Sequence, residues 1–405
     1  MTTKMRPIRD TIPLAEARRI IDANIPLLEH HERVALAHAD ARVLAQDVVS
    51  SQDVPPFSRA AMDGYAVRAE DTFGASRSEP GTLRCVEQVF TGQVPVRTLQ
   101  PGECAEIATG APMPPGADAV VVVEESESDG EVVRIFTPVY PRQNVGRQGA
   151  DIQQGQTVLR AGDVLTPARL GAIAALGNID VDVRVRPRIA ILSTGNEIIE
   201  PGQALAPGQI YDVNRFTLTA LVERHGSVAV PYRTAADTLE DLSRAVDECL
   251  REDVLVFSGG SSVGERDLIL DVLAARGEVL FHGIAVKPGK PMAFGRIDGK
   301  LFFGMPGYPT SCLTNGYALV VPALRKMAGL PPWTPRVMTM PLGARIVSVS
   351  GRHQFYTVRV EDGLAVPAFK SSGDITSMSR ADGYIEIAAH TDIVETGEFV
   401  DVTLF

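Results

Sequence analysis

Ser258-Gly259-Gly260-Ser261-Ser262-Val263-Gly264 follows the apolar run Val254–Phe257 and precedes a helical pattern that starts near Asp267. Glycines let backbone amides approach an anion with no Cβ in the way, hydroxyls add donors, and a helix amino terminus adds partial positive charge. Phosphate suits that chemistry, while the same residues also serve a plain strand-to-helix turn with Asp267 as N-cap. The loop is not the lysine-bearing P-loop pattern. An earlier run, Ile189–Leu192, ends in Ser193-Thr194-Gly195-Asn196-Glu197, and loops at the carboxyl ends of parallel strands share one edge of the sheet, where ligands bind in open α/β folds. Lys287-Pro288-Gly289-Lys290-Pro291 sets two ammonium groups on a turn stiffened by proline, either an anion holder or an exposed basic turn. Met305-Pro306-Gly307-Tyr308-Pro309-Thr310-Ser311 leads from a strand into a long apolar helix, with Thr310 or Ser311 expected as N-cap; it is a second anion site or a rigid connector.

The carboxylates Glu197 and Asp267 share these loops with the lysines. Carboxylates beside phosphates repel unless a hard divalent cation, Mg²⁺ by preference, takes oxygens from both. Reaction at phosphorus or another oxyanion centre is therefore expected. Elsewhere the residues alone read blandly: Asp63-Gly64 as a hairpin turn, Thr109 in a Pro/Gly connector, and Asp151 as a solvated loop residue after Gly146–Ala150.

Amphipathic spacing over Pro13–Leu28 predicts a first helix that needs a partner surface. Between Asp53 and Gln148, short β-branched runs broken by Pro and Gly predict a β-rich domain. Thr166-Pro167 and Gly177 bracket a short helix. From Arg188, strand-like Ile189–Leu192 and Val254–Phe257 alternate with helical Arg215–His225, Asp237–Glu252 and Leu268–Arg276, an order that implies a parallel sheet. Asp237 and Glu240 have capping-box spacing, and Asp298-Gly299 is a two-residue hairpin turn, so part of the sheet is antiparallel. From Val337, alternating runs with Asp362-Gly363 and Asp382-Gly383 turns predict a small all-β domain.

Composition excludes other classes. The 405 residues carry 39 basic against 50 acidic side chains, a net charge of -11 with no basic block, which argues against nucleic-acid binding. The four cysteines lie far apart with no Cys-x-x-Cys, and no His-x-x-x-His occurs, so neither a disulfide framework nor a zinc site is expected. Apolar runs are strand-sized, and Met1–Asp10 has no apolar stretch behind its basic residues. No membrane segment or secretory signal is expected, and a cytoplasmic location fits best.

Taken in order, these loops resemble the molybdopterin molybdenumtransferase family, the MoeA proteins and the related E domain of gephyrin. The matching segments are Asp53–Phe57 through Met62-Asp63-Gly64-Tyr65-Ala66, Thr109–Pro112, Ser193–Glu197, Tyr211–Arg215, Ser258–Asp267, Lys287–Pro291 and Pro306–Ser311. The resemblance implies a multidomain α/β plus β fold: a mixed linker domain over 11–52 plus 148–187, a β-rich domain over 53–147, a three-layer α/β molybdopterin-binding domain over 188–330, and a C-terminal β-barrel-like domain over 331–405. It implies insertion of molybdate into adenylated molybdopterin with Mg²⁺-assisted release of AMP, in an elongated homodimer that also meets the molybdopterin adenylyltransferase.

By the same resemblance, Asp63, Asp151, Glu197, Asp237 and Asp267 are functional acids, with Glu197 and Asp267 as the Mg²⁺ ligands. Asp63 and Thr109 would come from the β-rich domain of one subunit to the α/β site of the other. Thr109, Ser193, Thr194, Gly195, Pro306 and Pro309, with Ser258, Gly259, Gly260, Ser261, Ser262 and Gly264, would hold the pterin phosphate or nucleotide. Lys287, Lys290, Ser311, Arg352, Ser371 and Ser372 would form the molybdate pocket. Ser58-Arg59-Ala60 and Tyr308 depart from the common family residues, which leaves tungstate preference, pterin storage or a gephyrin-like scaffold as alternatives.

Overall fold

A computed structural model describes residues 10–235, 238–259 and 268–405, without the side chains of 268–270. Asp237, Gly260, Ser261, Ser262, Gly264 and Asp267 lie outside the described residues. The backbone gathers into two compact units, one comprising the described residues up to Glu32, Ala41–Val43 and Val183–Phe405, the other Arg33–Asp40 and Leu44–Asp182.

In the first unit a six-stranded sheet runs in the order Val228–Pro231, Arg188–Ser193, Val254–Ser258, Lys300–Met305, Ala293–Ile297, Gly277–His282. Its first four strands pair in parallel and its last two pairings are antiparallel, so Ala293–Ile297 alone runs against the rest. All five residues of Val254–Ser258 are buried, as a strand covered on both faces requires. Alternation sends Ile189, Ile191, Val254, Val256 and Phe303 to one core and Ala190, Leu192, Leu255, Phe257 and Phe302 to the other. The Asn214–Arg224 helix covers the first face through Leu218, Leu221 and Val222, and the Leu239–Cys249 helix covers the second through Leu242, Val246 and Cys249. The partner surface of the first helix, Leu14–Asn24, is that first core, which takes in Leu14, Ala17 and Ile21. Each fully buried side chain of this kind contributes about 1.5–3 kcal/mol.

Two expected caps are corrected. The Leu239–Cys249 helix is capped by Thr238 rather than Asp237: the Thr238 hydroxyl accepts from the Asp241 amide at 3.2 Å and donates to the Asp241 carboxylate at 2.8 Å. Neither Thr310 nor Ser311 caps the Pro309–Asn315 helix, which starts at its proline after an uncapped Tyr308. The long apolar helix expected there continues as a π-turn, Gly316–Val320, before Val321–Met327. Pro322 has no amide for the carbonyl four residues back and its ring would strike it, so the wide turn relieves that clash.

The Asp-Gly pairs expected as turns divide. Asp298-Gly299 joins Ala293–Ile297 to Lys300–Met305, and Asp362-Gly363 joins His353–Glu361 to Leu364–Pro367, all four turn residues having positive φ. Asp63-Gly64 and Asp382-Gly383 are not hairpin turns. Both glycines open strands, Gly64–Val67 and Gly383–Ile387, where a Cβ would lie 1.9 Å from the Val121 carbonyl oxygen or 2.2 Å from that of Thr403.

The C-terminal region is β apart from one helical turn, Thr376–Ser379. Its sheet begins with Val286–Lys287, paired in parallel with His353–Glu361, so the basic turn is stitched to this region. The second unit holds a six-stranded mixed sheet in the order Ala119–Val122, Gly64–Val67, Glu103–Ile107, Gly81–Val89, Val132–Ile135, Ser126–Asp129. It also holds the bracketed helix, Pro167–Ala175, with the Thr166 hydroxyl accepting from the Arg169 amide.

Gly64→Ala forces a Cβ into the Val121 carbonyl at φ +154° and should cost at least ~2 kcal/mol. Gly130→Ala, at φ +65° with open space around it, should cost about 1 kcal/mol. Denaturant unfolding of the two variants checks the contrast; equal losses would mean the close approach is not what demands glycine.

Candidate functional site

Ser193, Ser258 and Met305 are paired across three parallel strands, so the chain leaves all three at the same edge. The loops that follow line a cavity of about 1140 Å³ together with the Lys287–Pro291 turn, Arg352 and the Phe369–Gly373 segment. Its floor is narrow backbone packing. A Cβ on Gly259, at φ +102°, would sit 2.2 Å from the Thr194 carbonyl oxygen, so the first two loops touch only because this residue is glycine. The Glu197 carboxylate lies over Gly195, 2.7 Å from where a Cβ would stand.

Asn214, at the start of its helix, ties two loops together. Its amide donates to Ser258 Oγ at 2.6 Å and to the Gly307 carbonyl at 2.7 Å. Beside it, buried Asp212 accepts from the Arg215 amide at 3.0 Å and stands 3.8 Å from the Arg215 guanidinium, which also pairs with Glu200 at 2.8 Å. Instead of capping its helix, Thr310 donates its hydroxyl to the Asp374 carbonyl at 3.0 Å and its amide to that of Ser372 at 3.2 Å. That anchors the Ser371–Asp374 turn, itself closed by a 2.8 Å bond from Ser371 Oγ to Asp374. The Asn315 amide holds the basic turn by donating to the Gly289 carbonyl at 2.9 Å.

Among the described residues, three uncharged side chains at this floor carry a polar atom with no hydrogen-bond partner: Ser193 Oγ, Thr194 Oγ1 and Asn214 Oδ1. Their residues are 2%, 1% and 7% exposed. A buried polar group left unpaired costs about 1–3 kcal/mol, so a polar guest is favoured at these atoms. Among the described residues, Lys287, Lys290, Arg352 and Lys370 give four cations around the cavity against Glu197 and the already paired Asp212. A chain of net charge -11 thus gathers a local positive field suited to an oxyanion. Burial pushes the Cys312 thiol up to about 12, so it is a neutral packing group 4.0 Å from Ser258 Oγ rather than a nucleophile.

Of the sequence-derived candidates, Ser193, Thr194, Glu197, Ser258, Gly259, Lys287, Lys290, Pro306, Pro309, Ser311, Arg352, Ser371 and Ser372 line this cavity, with Gly195 adjoining. Asp63, Thr109 and Asp151 belong to the second unit. There the Asp63 carboxylate accepts the Thr109 amide at 2.7 Å, and that bond holds its pKa below the usual carboxylate range. Asp151 is exposed, its amide donating to the Val54 carbonyl at 3.0 Å. Sequence reasoning assigned no role to Asp212, Asn214, Lys370 or Phe369. The first two stood in a quoted motif; the last two carry no local signal.

Residues 12–177 match the family described as MoeA N-terminal region (domain I and II), 190–326 a probable molybdopterin binding domain, and 339–405 the MoeA C-terminal region (domain IV). The chain is 38% identical over 330 residues to the molybdopterin molybdenumtransferase 2 of Mycobacterium tuberculosis, covering 80% of this chain and 81% of the relative. It is 33% identical to the molybdopterin molybdenumtransferase of Haemophilus influenzae over 405 residues, 97% and 98% of the two chains. A solved molybdopterin biosynthesis MoeA protein from Pyrococcus horikosii superposes with a TM-score of 0.87 at 40% identity, over 98% of this chain and 99% of that one. With all three regions matched in order, the chain belongs to the MoeA family.

Proposed function

We propose that this chain is a transferase of molybdenum cofactor biosynthesis that inserts molybdate into adenylated molybdopterin and releases AMP. The observation that carries the reading is the cavity floor, where unpaired buried hydroxyls and an unpaired amide oxygen face four cations in a space large enough for a pterin or nucleotide. Ser193 and Thr194 supply donors to phosphate oxygens, and Asn214 keeps the Ser258 and Gly307 loops at a fixed separation around them. Lys287 and Lys290 on the basic turn, with Arg352, offset the charge of molybdate, which is substrate here. The names of the matched relatives support the same chemistry.

Mg²⁺ keeps several waters and takes one or two carboxylates plus substrate phosphates rather than a cage of protein ligands. Among the described residues no three His, Cys, Asp or Glu side chains converge on a metal position, while the Glu197 carboxylate is placed on the cavity wall over Gly195. That arrangement fits such an ion, with Glu197 and, from outside the described residues, Asp267 as its protein ligands. When bound, Mg²⁺ would neutralise charge on the phosphoanhydride. The reading carries a homodimer and a cytoplasmic location with it; among the described residues no helix is long and apolar enough to cross a membrane.

Incubation with adenylated molybdopterin, Mg²⁺ and molybdate or tungstate, followed for AMP and for reconstitution of a cofactor-free molybdoenzyme, tests this. Both signals are expected with molybdate, and the tungstate lane reads selectivity. Binding without either signal would make the cavity a storage or scaffold site. Lys287→Ala and Lys290→Ala each remove a charge-assisted contact of about 1.5–3 kcal/mol. Each should lower kcat/KM for molybdate by roughly one to two orders of magnitude with AMP binding retained; unchanged kinetics would remove the basic turn from the oxyanion site. Glu197→Gln should raise the Mg²⁺ concentration needed for half-maximal AMP release, and an unaltered Mg²⁺ dependence would exclude it as a ligand.

A further inference from the structure

Cys85 and Cys104 are Cα partners across the parallel pairing of Gly81–Val89 with Glu103–Ile107 in the second unit. Neighbouring strands run about 4.7–4.9 Å apart, inside the Cα separation of ~4.4–6.8 Å that a disulfide spans. Their side chains share a face: Cys104 is buried in the cluster of Tyr65, Leu83, Val121 and Val133, and Cys85 packs against that same cluster. The register skips a residue directly after Cys85, a local loosening of the strand. Access is unequal, since Cys85 is partly exposed and Cys104 fully buried. The neighbouring Cys104 thiol draws the Cys85 thiol down to about 6, and the same proximity, with burial, pushes Cys104 up. Tyr65, Glu103 and Glu106 are other titratable groups that act on the pair. Nothing in the proposed molybdenum chemistry uses these two thiols.

We propose that Cys85 and Cys104 are a peroxide-sensitive dithiol that closes to a disulfide between the two strands. The exposed member reacts first. The Cys85 thiolate attacks one peroxide oxygen, the O–O bond breaks, and the departing hydroxide takes up a proton to become water. Once Cys85 is a neutral sulfenic acid, the thiolate contact that raised Cys104 is gone; the Cys104 sulfur then attacks the sulfenic sulfur, the S–S bond forms as the S–O bond breaks, and the Cys104 proton leaves with the departing hydroxyl as a second water. Peroxide gains two electrons and the dithiol loses two. The buried partner sits where it can resolve the sulfenic acid before a second peroxide reaches it.

The full-length protein is treated with a small excess of hydrogen peroxide, its thiols are counted after denaturation, and its peptides are mapped by mass spectrometry. Two of the four thiols should disappear, return with dithiothreitol, and map to joined peptides bearing Cys85 and Cys104. Cys85→Ser should leave the remaining thiols unreacted. Cys104→Ser should trap Cys85 as a sulfenic acid captured by dimedone; should that variant fail to fold, the parent and Cys85→Ser decide alone. The proposal is overturned if Cys85 of the parent accumulates as sulfenic or sulfinic acid with Cys104 free, if Cys249 or Cys312 accounts for the loss, or if no thiol reacts.

Discussion

Parallel pairing of Arg188–Ser193, Val254–Ser258 and Lys300–Met305 sets Ser193, Ser258 and Met305 at one height. The three cavity loops that follow these strands start from that line. A slip of one residue in any strand would exchange its two buried faces and carry its loop with it, so the two cores that hold the register also hold the site. Gly259 permits the closest loop approach, and Asn214 fastens the Ser258 loop to the Gly307 connector. Binding geometry here is a by-product of sheet register.

Electrostatics then select the guest. The acidic chain would repel an oxyanion at long range, yet the cavity rim carries Lys287, Lys290, Arg352 and Lys370. The buried Asp212 is compensated by Arg215, while among the described residues Glu197 is the other carboxylate of the cavity wall and the one available to a cation. The buried hydroxyls of Ser193 and Thr194 are held ready for a polar guest, which is how a preorganised site binds.

Much of this was legible because local chemistry and fold agree. The βα alternation from Arg188, the Asp298-Gly299 and Asp362-Gly363 hairpins and the Thr166-Pro167 helix start follow from backbone preferences that no tertiary contact overrides. Asp63-Gly64 and Asp382-Gly383 read as the same turn but are strand starts, because the need for glycine comes from a neighbouring carbonyl distant in sequence. Thr310 was misread for the same reason: its hydroxyl answers Asp374, 64 residues away. Lys370 and Phe369 reach the cavity from the C-terminal region through pairing of Val286–Lys287 with His353–Glu361, a contact with no local pattern. The roles of Asp63, Thr109 and Asp151 rested on the family resemblance alone, and the first unit forms its cavity without them.

A crystal structure of the protein grown with AMP and molybdate tests the central claim most directly. The account predicts the AMP phosphate against Ser193, Thr194 and Ser258, with molybdate between Lys287, Lys290 and Arg352. Both ligands bound elsewhere, with the hydroxyls of Ser193 and Thr194 still unpaired, would contradict it.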